Sequence, residues 1–141
     1  MSSSVDETDE KIIRILQADS RKAFVEIASQ IGLSESAVRR RVKNLVDGGM
    51  IKRFTIELGA SDKTSAITLI SVSSTADTSA VSARLMKLTG VEVVYEITGQ
   101  YDIAAIIAAP AIAEINKCID DIRKIEGVSD TNTVIILKTI R

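Results

Sequence analysis

The stretch Ile31-Gly32-Leu33-Ser34-Glu35-Ser36-Ala37-Val38-Arg39-Arg40-Arg41-Val42-Lys43-Asn44-Leu45 decides how the first half of the chain folds. It reads as the turn and second helix of a helix-turn-helix. Gly32 stands where a preceding helix must stop, because a left-handed end conformation costs glycine least. Leu33 is apolar and plugs the gap between two helices. Ser34 is a good N-cap, its hydroxyl accepting a free amide of the next turn. Val38, Val42, Leu45 and Val46 then recur at i, i+4, i+7 and i+8 and share one helical face. At about 100° per residue, Ser36, Arg39, Arg40, Lys43 and Asp47 fall on the opposite face. A helix that buries one side and shows hydroxyl, arginine and lysine on the other has the composition needed to lie in a major groove. Its cations meet phosphates, and arginine forks onto guanine. Charge alone fits a solvated basic face equally well. The turn chemistry and the helix before it favour DNA.

The totals bound the rest. A chain of 141 residues fits one domain or two small ones. With 45% apolar and 26% charged residues the composition is that of an ordinary soluble globular protein. The net charge of -1 argues against a uniformly basic nucleic-acid binder. Yet between Ser34 and Arg53 the residues Arg39, Arg40, Arg41, Lys43, Lys52 and Arg53 face only Glu35 and Asp47. Cys118 is the sole cysteine and histidine is absent. A disulfide framework, a Cys/His zinc site and a histidine-based triad are thereby excluded, and neither a metal nor an enzymatic activity is expected. The polar, acidic start resembles no signal peptide, and no apolar run reaches membrane-spanning length. The expected location is the cytoplasm, with no membrane partner.

Taken in order, residues 1–5 read as a frayed tail. Asp6 to Ala18 reads as the first helix, its start crowded by Asp6, Glu7, Asp9 and Glu10, where the helix dipole favours negative charge. Ile12, Ile13, Ile15 and Leu16 supply its buried stripe. Phe24, Ile27, Ala28 and Ile31 form the stripe of the second helix, and the third ends near Asp47-Gly48-Gly49. Met50 to Leu58 reads as an extended segment leaving this unit. Three helices with a tight turn between the last two suffice for a trihelical core. Residues 1–58 are therefore expected to form a DNA-binding domain, 59–64 a hinge, and 65–141 a second domain.

The second half changes character. Strands are expected at Ala66–Ser73, Val91–Thr98, Tyr101–Ala109 and Thr131–Ile140, and helices at Thr78–Leu88 and Ala111–Ile125. Gly99-Gln100 reads as a tight hairpin connection. The later helix carries Ile112, Ile115, Ile119 and Ile122 on one face. The order β-α-β-β-α-β belongs to an α+β, ferredoxin-like fold, a four-stranded antiparallel sheet with both helices on one face. The strands remain apolar on the other face, which needs a second cover, so a homodimer through the sheets is expected.

By these features the chain resembles the Lrp/AsnC, or feast/famine, transcriptional regulators. The resemblance rests on DEKIIRIL (9–16), DSRKAFVEIA (19–28), GLSESAVRRRVKNLVDGGMIKRFTIEL (32–58), the TGQYD of 98–102, and Gly127-Val128 with Thr131 and Thr133. The wording AVRRRVKNL…IKRFTI is closest to archaeal members. The resemblance implies dimers that assemble to tetramers or octamers, and a small amino acid as effector. Carried over to this sequence, Thr98, Gly99, Gln100, Tyr101 and Asp102 line the effector site, with Thr131 and Thr133 from the last strand. It also implies double-stranded DNA as partner, with Arg21, Ser34, Ser36, Arg39, Arg40, Lys43 and Arg53 as contacts. A free amino acid needs acceptors for its ammonium and donors for its carboxylate, and this loop holds both. Acidic Glu96 and Asp102 suit a basic effector, lysine or arginine, as in archaeal members that regulate the metabolism of these amino acids.

Blander readings stand beside these. Asp102 also suits a hairpin carboxylate bonding nearby amides. Tyr101 suits the core, and Thr131 and Thr133 suit ordinary cross-strand packing. Arg21 with Lys22 also suits simple solvation of a turn. Arg41 lies nearer the buried face than Arg39 or Arg40, which points to a structural ion pair. Cys118 reads as a small core residue. The expected function is a sequence-specific regulator modulated by a small amino acid. The alternative is an amino-acid-sensing regulatory or architectural protein without operator control.

Overall fold

Asp6 opens the first helix. Its carboxylate accepts the Asp9 amide at 2.8 Å, and the Asp9 carboxylate accepts the Asp6 amide at 3.3 Å, a reciprocal cap. The structure, a computed structural model, describes residues 5–59 and 62–140. Most of the tail expected at 1–5, two residues of the hinge (60 and 61) and residue 141 thus lie outside the described residues. The first unit holds α1 (Glu7–Ala18), α2 (Phe24–Ile31) and α3 (Glu35–Asp47). Its core joins Ile12, Leu16, Ile27, Ala28, Val38 and Val42. Between α2 and α3, Gly32 takes φ +72° and lets the Leu33 amide reach back to the Ala28 carbonyl at 3.0 Å. Ser34 caps α3 by accepting the Ala37 amide at 3.2 Å.

Arg41 fastens α3 to α1. Its Nη1 donates to Asp6 Oδ2 and to Asp9 Oδ1, both at 2.8 Å. One expectation for this unit needs correction. Val46 is 41% exposed, because at i+8 it sits at the margin of the stripe and no further layer covers it. The segment after Ile51 pairs with no strand among the described residues and leaves Phe54, Ile56 and Leu58 exposed.

The contacts divide the chain at Leu58/Gly59. The second unit is built from β1 (Thr64–Val72), α4 (Thr78–Leu85), β2 (Val91–Glu96), β3 (Ile103–Ala109), α5 (Ile112–Arg123) and β4 (Val128–Ile136). The sheet order is β2-β3-β1-β4, antiparallel throughout, which is the ferredoxin-like arrangement. Ala66 and Ile70 of β1 and Ile103, Ala105 and Ile107 of β3 pack beneath Val81 and Leu85 of α4 and Ile115, Cys118, Ile119 and Ile122 of α5. Thr68 is fully buried on this face, its hydroxyl 2.9 Å from that of Thr133. Gly127, at φ +98°, passes so close to α4 that a Cβ there would lie 2.8 Å from the Ala76 Cβ and 3.0 Å from Val81 Cγ2.

The element ends differ from the sequence reading for local reasons. After Leu85 the chain tightens into Lys87-to-Arg84 and Leu88-to-Leu85 backbone bonds, which end α4 early. β4 stops at Ile136 because its partner Ser65 lies at the start of β1, and Leu137 and Ile140 are left exposed. Ile112 begins α5 and is 54% exposed rather than part of the buried stripe. The β2–β3 connection is wider than Gly99-Gln100. The ladder ends at Glu96 and Ile103, Ile97 donates to the Asp102 carbonyl at 2.9 Å, and Thr98 to Tyr101 form the loop.

Replacing Arg41 by methionine is expected to destabilise the helical unit by about 2 kcal/mol, the scale of charge-assisted hydrogen bonds lost from a half-buried site. Urea unfolding followed by far-UV circular dichroism measures it. The Asp9 amide, and next to it the Arg41 guanidinium, hold the Asp6 carboxyl below its ordinary range. A depressed carboxylate stabilises above its unfolded value and loses that contribution as pH falls through its folded value. The stability gap between the protein and its Asp6→Asn variant should therefore shrink on acidification below the usual carboxylate range. A gap independent of pH would refute this linkage.

Candidate DNA interface and ligand site

The exposed face of α3 is built by its buried one. With Val38, Val42 and Leu45 in the core and Arg41 turned to α1, the side chains of Ser36, Arg39, Arg40 and Lys43 face outward. Ser34 Oγ also lies 3.2 Å from Ser36 Oγ. Lys43 is paired to Asp47, and Arg39 donates to Glu35 Oε1 at 2.8 Å. The Arg39 guanidinium sits over the Phe24 ring, 5.2 Å from its centroid. Arg40 makes no ion pair among the described residues.

Arg21 and Arg53 are brought together elsewhere. Both border a groove of about 860 Å³ between the end of α1 and residues 50–57, with Lys52 on the same rim. No α3 residue lines this groove. The Arg21 amide donates to Asp19 Oδ1 at 3.0 Å, which shapes the α1–α2 turn.

In the second unit the loop at 98–101 stands at the end of the sheet where β1 finishes and β4 starts. Among the described residues the amides of Thr98, Gly99, Gln100 and Tyr101 have no hydrogen-bond partner. Asp102 anchors the loop. Its amide donates to the Ile70 carbonyl at 3.0 Å, and its Oδ2 accepts the Val72 amide at 2.7 Å. Glu96 accepts the Ser79 hydroxyl at 3.3 Å. Thr131, opposite Ile70, accepts from Arg123 Nε at 3.1 Å. Thr133 lies two residues further into the sheet on the helix-covered face, its hydroxyl bonded to Thr68.

Asn132 escaped the sequence reading. Its side-chain amide donates to the Tyr101 hydroxyl at 3.4 Å. Alternation puts it on the opposite face from Thr131 and Thr133, but its meeting with Tyr101 depends on β4 lying across the sheet end from the loop. Cys118 is buried in the core beside Ile115 and Ile119, and burial, with the Asp121 carboxylate, pushes its thiol up. Among the described residues no cluster of three His, Cys, Asp or Glu side chains could hold a metal ion, and no helix is long and apolar enough to cross a membrane.

A capped basic helix in a trihelical unit, joined to a ferredoxin-like domain, defines a two-domain DNA-binding regulator with a ligand domain. The comparisons agree. Residues 5–46 match the AsnC-type helix-turn-helix domain, and residues 65–141 match the Lrp/AsnC ligand binding domain. The HTH-type transcriptional regulator LysM of Saccharolobus solfataricus is 42% identical over 138 residues, covering 98% of this chain and 97% of the relative. The HTH-type transcriptional regulator FL11 of Pyrococcus furiosus is 37% identical, covering 98% and 93%. A feast or famine regulatory protein from M. tuberculosis, solved as a complex with L-methionine, superposes with a TM-score of 0.86 at 26% identity, covering 98% and 95%. The chain belongs to the Lrp/AsnC family of transcriptional regulators. It is a DNA-binding transcriptional regulator with a ligand-binding domain, not an enzyme.

Because the Asp102 carboxylate satisfies the Val72 amide, Asp102→Ala should destabilise the second domain by about 1–2 kcal/mol through an unpaired, half-buried donor. Asp102→Asn keeps a carbonyl acceptor and should cost less. Thermal unfolding of both variants checks this. Equal losses would mean that the charge, not the bond, is what holds the loop.

Proposed function

We propose that this regulator binds a small amino acid at the Thr98–Asp102 loop and double-stranded DNA through α3, and that the first controls the second. The observation that carries the reading is the pairing of four free amides at 98–101 with the carboxylates of Glu96, Asp102 and Asp130 at one end of the sheet. Free amides suit an α-carboxylate, and carboxylates suit an ammonium. The surplus of acid suits a second cation on the ligand, so lysine or arginine is the proposed effector. Thr98, Gly99, Gln100, Tyr101 and Asp102 contact it, Thr131 flanks them, and Thr133 stands behind Thr131.

DNA contact is assigned to Ser34, Ser36, Arg39, Arg40 and Lys43 of α3 and its cap, with Arg21 and Arg53 reaching the backbone from beside the groove. A homodimer through the open sheet face covers Ile67, Leu69, Ile106, Val93, Tyr95 and Val134, the last three 37%, 54% and 50% exposed. Twofold symmetry then presents two recognition helices to a roughly palindromic operator. Tetramers or octamers follow if dimers meet around the ligand loop. The protein acts in the cytoplasm, where its DNA is. The residues 1–58, 59–64 and 65–141 serve as DNA-binding domain, hinge and effector domain.

A thermal-shift screen of the twenty amino acids tests the effector. A ligand at about 100 times its dissociation constant adds about 2.7 kcal/mol to the native state. Lysine or arginine should raise the melting temperature, and Asp102→Asn should lose that rise while remaining folded. No response to any amino acid at millimolar concentration would reject the sensor. For DNA, the double variant Arg40→Ala/Lys43→Ala should weaken binding and reduce the slope of log affinity against log salt by about 2. An unchanged slope would move the interface away from α3.

A further inference from the structure

We propose that Phe24 and Glu35 set the sequence discrimination of DNA binding by holding the Arg39 guanidinium in one orientation. The inference rests on α3 being the DNA-contacting helix. Of the cations on that face, Arg39 alone is gripped from both helices of the motif, by Phe24 at the start of α2 and by Glu35 at the start of α3. Lys43 is tied only within its own helix, and Arg40 is untied among the described residues. Phe24 is half-buried and packs against the core of the unit, so the ring is a rigid platform.

The two partners do different work. A guanidinium lying over a ring keeps its edge donors available, and those edges match the O6/N7 pair of guanine. The ring therefore narrows the orientations Arg39 samples without filling its donors. Glu35 does occupy one of them, at Nη2. Its carboxylate resembles a phosphate oxygen in charge, so a lone phosphate offers Arg39 little that Glu35 does not. A guanine edge with two acceptors offers more. Loss of Phe24 should therefore weaken binding to a preferred site, and loss of the Glu35 charge should free Arg39 for phosphates and strengthen binding to scrambled DNA most. Both changes reduce the ratio between preferred and scrambled DNA.

The test uses the full chain, a duplex selected from random sequence by the wild-type protein, and a scrambled duplex of the same composition, with affinities read by fluorescence anisotropy at fixed salt. Phe24→Leu should lower the affinity ratio about 3-fold, mostly through the selected duplex. Phe24→Tyr should retain the ratio. Glu35→Gln should tighten binding to the scrambled duplex about 2-fold and lower the ratio from that side. Phe24→Leu added to Arg39→Ala should cost no more than Arg39→Ala alone. Circular dichroism melts establish that each variant is folded; if Phe24→Leu is not, the Phe24→Tyr and Glu35→Gln arms decide. An unchanged ratio in Phe24→Leu and Glu35→Gln, or additive losses in the double variant, overturns the proposal while leaving α3 as the interface. Arg39→Ala, Arg40→Ala and Lys43→Ala all binding both duplexes like wild type would instead overturn the assignment of α3 itself.

Discussion

The helical unit depends on one arginine that points the wrong way for a DNA-binding helix. Arg41 lies between Arg40 and Val42, yet its guanidinium turns inward and bonds the same two carboxylates that cap α1. The cap of α1 and the rotation of α3 about its own axis are thus held by shared groups. With Val38 and Val42 in the core on one side of that pin, Arg39 and Arg40 are left on the outer face, Arg39 over the Phe24 ring and beside Glu35. The ion pair is half-buried, so removing one partner costs stability by leaving the others unpaired, while its directed bonds fix geometry. Here the geometry is the register of the basic face.

The second unit is organised around β1, one of the two inner strands of the sheet, paired to β3 on one side and β4 on the other. Its alternation separates two environments. Ala66, Thr68 and Ile70 lie under the helices, and Ile67 and Leu69 lie on the open face. Thr68 is the exception to an apolar core, and it is tolerated because Thr133, directly opposite, supplies the hydroxyl partner that burial demands. The open face has no such internal solution. Apolar side chains stand there beside Asn132 and Tyr101, whose one mutual hydrogen bond leaves most of the surface uncovered.

Much of this was legible in the sequence because it follows from periodicity. The three helices, the β-α-β-β-α-β order and the two-sided apolarity of the strands come from spacing alone, as does the inward lean of Arg41. What periodicity cannot carry is partnership across the chain. The ends of β4 depend on where β1 begins, and the width of the 97–102 connection depends on Asp102 bonding β1 rather than continuing the ladder. Phe24 read as core from its stripe, and so it is in part; that its ring also faces Arg39 requires the α2–α3 crossing. Alternation puts Thr131 and Thr133 in the last strand, but their bonds to Arg123 and Thr68 rest on which elements cover them.

The two blander and sharper readings of Asp102 do not exclude each other. A carboxylate has about four acceptor sites on two oxygens, and the Val72 amide takes one of them. The remaining sites can meet an ammonium only if the loop stays where that amide holds it. In the proposed reading, the charge that a ligand needs and the bond that holds the loop therefore belong to the same side chain. A substitution that removes both cannot separate recognition from folding, whereas an asparagine removes the charge and keeps an acceptor. Among the described residues the loop is free at its four amides and fixed at its acid, so under the proposed function a ligand carboxylate has variable reach while the position of its ammonium is set by the end of β1.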